Sequence, residues 1–181
     1  MTKADRRRPI ALPWSQPDAD DCLRDTGIIL IGRIPWGTHL SLFCDTEQDL
    51  LDAACAYFAP AQHAQEHCIW VVSDPLRVND AVEALRATVP GFERQRKAGQ
   101  FEVLPGEEWY YQTGQFDWQR IVRAWQGRVD HALANGLAGL RAFGNPLWRT
   151  AEQWRDIEEY EHALETAIAG RRVIVGATQN I

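Results

Sequence analysis

The sequence contains very little lysine and serine. Of the 19 basic residues only Lys3 and Lys97 are lysines, and the serines are Ser15, Ser41 and Ser73. No Gly-x-x-x-x-Gly-Lys-[Ser/Thr] or Gly-x-Gly-x-x-Gly segment is present, which excludes the usual phosphate-binding loops of nucleotide-binding proteins. No Gly-x-Ser-x-Gly segment is present either, so hydrolysis by an activated serine is not expected.

Paired cysteines and long apolar runs are also missing. The 4 cysteines form no Cys-x-x-Cys pair, so the sequence predicts neither a zinc site nor a disulfide framework. No stretch approaches the roughly 20 apolar residues that span a membrane, and the N-terminus has no apolar secretion signal. We therefore expect a cytoplasmic protein with reduced thiols, no metal, no cofactor and no membrane contact.

The charge balance and the length further limit which kinds of protein this chain can be. A net charge of -6 repels phosphate backbones, which argues against nucleic-acid binding. The 181 residues, 45% of them hydrophobic, are enough for one domain with a buried core. Residues 1–21, which are rich in proline and charge, are predicted to be a flexible leader before a single domain over 22–181.

Short apolar strands alternate with amphipathic helices from residue 22 onward, after an apolar run over residues 28–31. Helix starts are indicated by capping patterns at Thr46, Asp74, Asp117 and Thr150. This alternation predicts an α/β fold, a three-layer sandwich around a mostly parallel five-stranded sheet. Ligands of such folds bind at the carboxyl ends of the strands. The predicted strands are 38–44, 68–72, 101–104, 139–143 and 173–175.

Two charged residues interrupt apolar patterns. Glu161 lies on the apolar stripe of the last helix, and Arg141 lies inside the fourth predicted strand. Isolated buried charges are costly, so both need a partner. We expect either that Arg141 and Glu161 form an internal ion pair, or that they meet a polar ligand between the sheet and the last helix.

The aromatic residues suggest a pocket. Trp118, Trp125 and Trp154 lie on helix stripes and are explained by core packing. In contrast, Trp109, Tyr110 and Trp148 follow strand ends, where they would either line a small apolar pocket or pack within loops.

Several other reactive side chains have unremarkable explanations. The segment from His63 to His67 matches His-x-x-Glu-His, but it lies between a helix and a strand, so we interpret it as a polar surface turn and not a zinc site. His39, at the start of the first strand, is either a hydrogen-bonded structural residue or a polar group of the site. Cys44 is expected to pack in the core.

The chain resembles the MEDS domain, a sensory domain named after methanogens, methylotrophs and the dichloromethane-responsive regulator. The resemblance runs collinearly from about residue 22 onward. Its most specific parts are Pro-Trp-Gly-Thr-His over 35–39 and Gly-Leu-Arg-Ala-Phe-Gly-Asn over 139–145. Weaker matches include 23–28, 68–71, 73–76, 99–102, 109–110, 114–117 and 160–161.

The resemblance implies a ligand-binding domain of signal-transduction proteins, on a fold similar to RecA and KaiC but without an ATPase loop. It implies that small hydrocarbon derivatives are the ligands and that His39, Arg141 and Glu161 match recurrent family residues. This chain departs from the family pattern at Cys44, Ala177 and Gln179, where Tyr, Cys and Tyr are common. If those groups touch ligand, the ligand of this protein differs or binding is lost.

We expect a non-catalytic cytoplasmic sensor that binds a small, largely apolar molecule and then acts on a signalling partner. Trp109, Tyr110 and Trp148 would form the walls of the site, with His39, Arg141 and Glu161 as polar anchors. The alternatives are a ligand-free interaction adaptor on a degenerate nucleotide-binding fold, and an enzyme that uses Cys44 or His39. A homodimer is compatible with the sequence, although no heptad pattern indicates one.

Overall fold

Five parallel strands form the central sheet. The computed structural model describes residues 22–112, 114–144 and 153–180, so the expected leader and Trp148 lie outside the described residues. In the order in which they pair across the sheet, the strands are β3 (Thr38–Cys44), β7 (Val173–Asn180), β6 (Leu140–Gly144), β4 (His67–Val72) and β5 (Phe101–Pro105). The predicted fold class, an α/β sandwich with a five-stranded parallel sheet, is confirmed.

Helices cover both faces of the sheet. Alternate strand residues face opposite sides, so that Trp70 and Phe143 belong to one core cluster while Ile69 and Ala142 belong to the other. The first side carries α1, α3 and α4, and the second carries α5, α6 and α7. Their bounds, with the short α2, are α1 (Glu47–Phe58), α2 (Ala61–Ala64), α3 (Val78–Thr88), α4 (Phe92–Lys97), α5 (Gly106–Tyr110), α6 (Trp118–Ala134) and α7 (Gln153–Ile168).

Local capping chemistry sets where two of these helices begin. The Asp49 amide donates to the Thr46 hydroxyl over 3.1 Å, and the Thr46 amide donates back to the Asp49 carboxylate over 3.0 Å, which confirms the predicted capping box of α1. Asp117 caps α6 as expected. Asp74 does not cap α3, because that helix begins later, after Arg77. Thr150 lies outside the described residues.

A small hairpin precedes the sheet, formed by β1 (Leu23–Asp25) and β2 (Arg33–Pro35). The apolar run over 28–31 forms its turn. The Thr26 hydroxyl donates to the carbonyl of Gly32 over 2.7 Å and ties the two ends of this turn together. Ile28 and Ile31 pack against the core, whereas Ile29 is 96% exposed.

Candidate functional site

A small cavity lies between the sheet and the helices α5 to α7, beside the amino half of β3, the middle of β7 and the carboxyl end of β6. About 10 Å³ inside it is open to the centre of a water molecule, which is roughly the space that one water needs. Its lining residues are His39, Tyr110, Trp125, Gly144, Tyr160, Glu161, Leu164, Val175, Gly176 and Ala177. Three of the predicted site residues, His39, Tyr110 and Glu161, therefore meet at one cavity.

His39 and Glu161 form the polar part of the cavity. The His39 Nδ1 lies 3.3 Å from the Glu161 Oε2, and the two side chains are 6% and 27% exposed. Burial lowers the pKa of His39, while the nearby Glu165 raises it to a smaller extent. Burial, reinforced by the charge of Glu165, raises the pKa of Glu161 to about 7. Both shifts favour the neutral forms, so below about pH 7 the contact joins an uncharged imidazole and a protonated carboxyl.

This protonation predicts a pH-dependent stability. The folded state holds the Glu161 proton up to a pKa of about 7, whereas the unfolded chain releases it near the ordinary pKa of 4.5. The folded state therefore binds more protons between these values, and stability present at low pH is lost as the pH rises through this window. Relative to Glu161→Gln, the wild type is expected to lose free energy of unfolding from about pH 4.5 to about pH 7.

Urea denaturation of both proteins across this pH range measures the effect. Since His39 is present in both, the difference between the two curves reports on Glu161. A difference that does not change with pH would contradict the assignment of a protonated Glu161.

The second ring nitrogen of His39 has no partner. Its Nε2 is buried and accepts or donates no hydrogen bond among the described residues. An unpaired buried polar atom is costly, unless a bound molecule satisfies it. His39 therefore offers one hydrogen-bonding position in a cavity that is lined mainly by aromatic rings and small apolar residues.

Aromatic rings form the rest of the cavity wall. The Trp125 Nε1 donates to the Tyr160 hydroxyl over 3.0 Å, which leaves both ring faces for apolar contact. Tyr110 reaches into the same space, and a Cβ on Gly144 would stand 2.5 Å from its hydroxyl. The glycine at position 144 thus makes room for Tyr110 at the carboxyl end of β6.

Arg141 lies on the opposite face of the sheet. The expected ion pair between Arg141 and Glu161 is wrong, because the Arg141 Nε instead donates to the Glu66 carboxylate over 2.5 Å. The other guanidinium nitrogens donate to the carbonyls of Tyr57 and Asp25 over 2.6 and 2.8 Å. The side chains of Arg141 and Glu66 are both 0% exposed. The structure thus gives Arg141 a role in holding β6, α1 and the hairpin together.

Arg24 completes this buried ion cluster. Its Nε lies 2.9 Å from the second oxygen of Glu66, and its guanidinium stacks over the ring of Trp36 at 4.8 Å. Glu66 therefore pairs with two arginines, one from the sheet and one from the hairpin. This contact fixes the hairpin to the amino end of the sheet.

Trp109 and Tyr110, although adjacent, face different spaces. Trp109 packs on Trp125 with ring centroids 4.5 Å apart and lines a larger groove of about 810 Å³ between α5 and α6. The groove rim carries charges of both signs, including Glu107 and Arg128. The expected single aromatic wall is therefore divided, and Trp148 lies outside the described residues.

The residues of the His-x-x-Glu-His segment do not converge. His63 lies on α2, Glu66 binds the two arginines, and the His67 Nε2 lies 2.9 Å from Glu102. The interpretation of this segment as a surface turn is wrong for Glu66 and His67, since both are buried. Among the described residues no group of three His, Cys, Asp or Glu side chains is placed to hold a metal ion.

Sequence reasoning missed Tyr160, Trp125 and Leu164 as cavity residues. The sequence offered one signal for Tyr160, because this residue directly precedes Glu161, which lies on the apolar stripe of the last helix. Ala177, a position where this chain departs from the family pattern, does line the cavity. Cys44 is buried against α1, on the other face of the sheet.

The part of the chain described by the structure holds no helix long and apolar enough to cross a membrane.

Comparisons with known proteins agree on one family and one fold. The family model described as the methanogen/methylotroph, DcmR sensory domain (MEDS) matches residues 38–176. No curated protein matches the chain significantly. Among solved structures, the chain is similar to a KaiC-like protein from the hyperthermophilic archaeon Pyrococcus horikoshii. The identity is 17%, the TM-score is 0.56, and the match covers 91% of this chain and 68% of that one. The expected likeness to RecA and KaiC folds is thereby confirmed.

Proposed function

Because the chain belongs to the MEDS family of sensory domains, we propose that it binds a small, largely apolar molecule and passes this signal to a partner. The binding site is the cavity of His39, Tyr110 and Glu161. The partner is a signalling protein or a separate output module in the cytoplasm.

The observation that carries this proposal is the neutral His39 and Glu161 pair inside an aromatic cavity. The pair lies beside the amino half of β3 and the middle of β7, where His39 pairs with Val175, and the cavity extends to Gly144 at the carboxyl end of β6. The unpaired His39 Nε2 supplies one hydrogen bond, and the rings of Tyr110 and Trp125 supply apolar contact. This combination suits an uncharged molecule of a few carbon atoms that carries one polar or halogen atom.

The size of the cavity provides the means of signalling. A guest larger than one water must displace a wall, and Tyr110 and α7 are the walls opposite the sheet. A ligand that binds the widened state better shifts the population toward that state. Movement of α7 would be transmitted to α6 and to β3, against which it packs.

Nucleotide binding has weaker support. The β3 strand ends at Cys44 and α1 begins at Glu47, which leaves no long loop to surround phosphates. The first turn of α1 carries the carboxylates of Glu47 and Asp49, which would repel a phosphate.

A thermal-unfolding screen with compounds of one to four carbons tests the proposal. Haloalkanes, alcohols and aldehydes are the probes. A compound at about 100 times its Kd stabilises the folded state by about 2.7 kcal/mol, which raises the Tm by about 5–10 °C for a chain of this length. Ala177→Leu fills the cavity and is expected to abolish that rise.

Ala134→Leu is the matched control, since Ala134 is exposed at the end of α6. It is expected to retain the full response. If no probe raises the Tm of the wild type, the ligand-free adaptor becomes the better account. If Ala177→Leu responds like the wild type, the ligand binds elsewhere, with the groove beside Trp109 as the first place to look.

A further inference from the structure

The β3 strand is an open edge of the central sheet. It pairs with β7 along its whole length, from Thr38 to Cys44. On its other side no strand of residues 22–112, 114–144 or 153–180 is paired with it. The amide and carbonyl groups that point away from β7, which belong to alternate residues of β3, therefore have no strand partner among the described residues.

This edge lacks the features by which proteins prevent pairing with another chain. Such edges are usually protected by charged residues, by proline or by a bulge. The segment Thr-His-Leu-Ser-Leu-Phe-Cys contains no lysine, arginine, acid or proline. The opposite edge, β5, contains Glu102 and Pro105. The chain thus has one protected edge and one that is suited to pairing.

Exposed side chains on β3 strengthen this contrast. Phe43 is 69% exposed and Ser41 is also exposed, on the face of the strand that carries His39. A large aromatic side chain at a free edge is a usual element of an interface.

We propose that β3 pairs with β3 of a second copy of this chain, antiparallel and with the two-fold axis at Ser41. This register pairs all seven residues and places Leu40 opposite the partner's Leu42. The two sheets would continue as one ten-stranded sheet through an isologous interface.

The identity of the partner follows from what is complementary to this edge. A partner needs an open, uncharged strand edge, and within the described residues only β3 itself provides one. In this register Asp45 lies beside the partner's Gly37, so the two acidic strand ends are about 26 Å apart, a separation at which salt screens their repulsion.

The same register brings the interface next to the cavity. Phe43 and His39 lie four residues apart on β3, and both side chains point to the same face of the strand. In this register His39 of one copy lies opposite Phe43 of the other copy. The partner's Phe43 would cover the outer side of His39. The pairing itself rests on the edge and does not require a ligand, so it is tested separately from the proposed function.

Sedimentation equilibrium of the full chain measures the pairing. We expect a wild-type dimer with a Kd in the micromolar range, since one strand pair makes a small interface. Ser41→Lys places like charges opposite each other at the axis and is expected to weaken the dimer at least about tenfold. Leu133→Lys, on the exposed surface of α6, is the control and is expected to leave the Kd unchanged.

Cross-linking gives a second readout that does not depend on affinity. In a Cys22→Ser background, Ser41→Cys is expected to form a disulfide-linked dimer under mild oxidation, while Leu133→Cys does not. A wild type that is monomeric up to about 100 µM, or cysteines that cross-link equally at both positions, would overturn the proposal. So would a chain whose β3 edge pairs with a strand of another protein instead.

Discussion

Replacing Glu66 by alanine is expected to lower the free energy of unfolding by about 3–5 kcal/mol. The Glu66 carboxylate is 0% exposed, and its two oxygens pair with the Nε of Arg141, at 2.5 Å, and the Nε of Arg24, at 2.9 Å. Its removal leaves the guanidinium of Arg141 buried without a counter-charge. The cost of an unpaired buried charge exceeds that of most single contacts, because neither water nor another acid can reach it.

Urea denaturation measures this loss of free energy of unfolding, and two further variants are compared with Glu66→Ala. Glu93→Ala breaks an exposed ion pair with Arg86 and is expected to cost less than about 1 kcal/mol. Glu66→Leu combined with Arg141→Met removes both buried charges of the pair and is expected to recover about half of the loss or more. Equal costs for Glu66→Ala and Glu93→Ala would show that the buried cluster contributes no more than a surface pair.

A second large loss is expected for Phe58→Ala, at about 3–5 kcal/mol. The Phe58 side chain is completely buried at the end of α1. Its ring centroid lies 4.8 Å from that of Phe101 and 6.0 Å from that of Trp70, with Tyr57 and Phe143 also in ring contact. Truncation would leave a cavity in the middle of the core on that side of the sheet, because the surrounding rings relax only in part.

Phe58→Leu is the graded control. It keeps an apolar side chain that fills part of the space of the ring, and it is expected to cost clearly less than the alanine variant. Thermal unfolding of both variants, followed by circular dichroism, shows which of them is more stable. If the two variants are equally stable, partial filling of the cavity recovers nothing, which would contradict a cavity as the cause of the loss.

The fold was predictable because its elements follow local patterns. Trp70 and its neighbours form a continuous apolar run, as a strand covered on both faces requires, and all six residues of β4 are buried. Capping at Thr46 and Asp117 placed two helix starts correctly. The helix start predicted at Asp74 was wrong, because an acid before a proline is equally compatible with the loop that precedes α3.

The site was predictable only in part, because its assembly depends on which face each helix covers. Glu161 was identified as a charge on an apolar helix stripe and His39 through the family resemblance, and the two do meet. Arg141 was assigned to the same place, but its strand position points it to the other face, with Phe143. Strand order and crossover direction decide the face that α7 covers, and no local pattern in the sequence contains that information.

The capping box of α1 occupies groups that a phosphate would otherwise bind at the start of that helix. A helix N-terminus after a parallel strand is a ready site for a phosphate, but here the amide of Asp49 is already bound to Thr46 and its carboxylate supplies the negative charge. A response driven by ligand alone is an equilibrium and reverses when the ligand leaves. To convert a population from about 1:99 to about 99:1, the ligand must bind one state about 10⁴-fold more tightly than the other. The sharpness of the response would therefore be set by the cavity around His39.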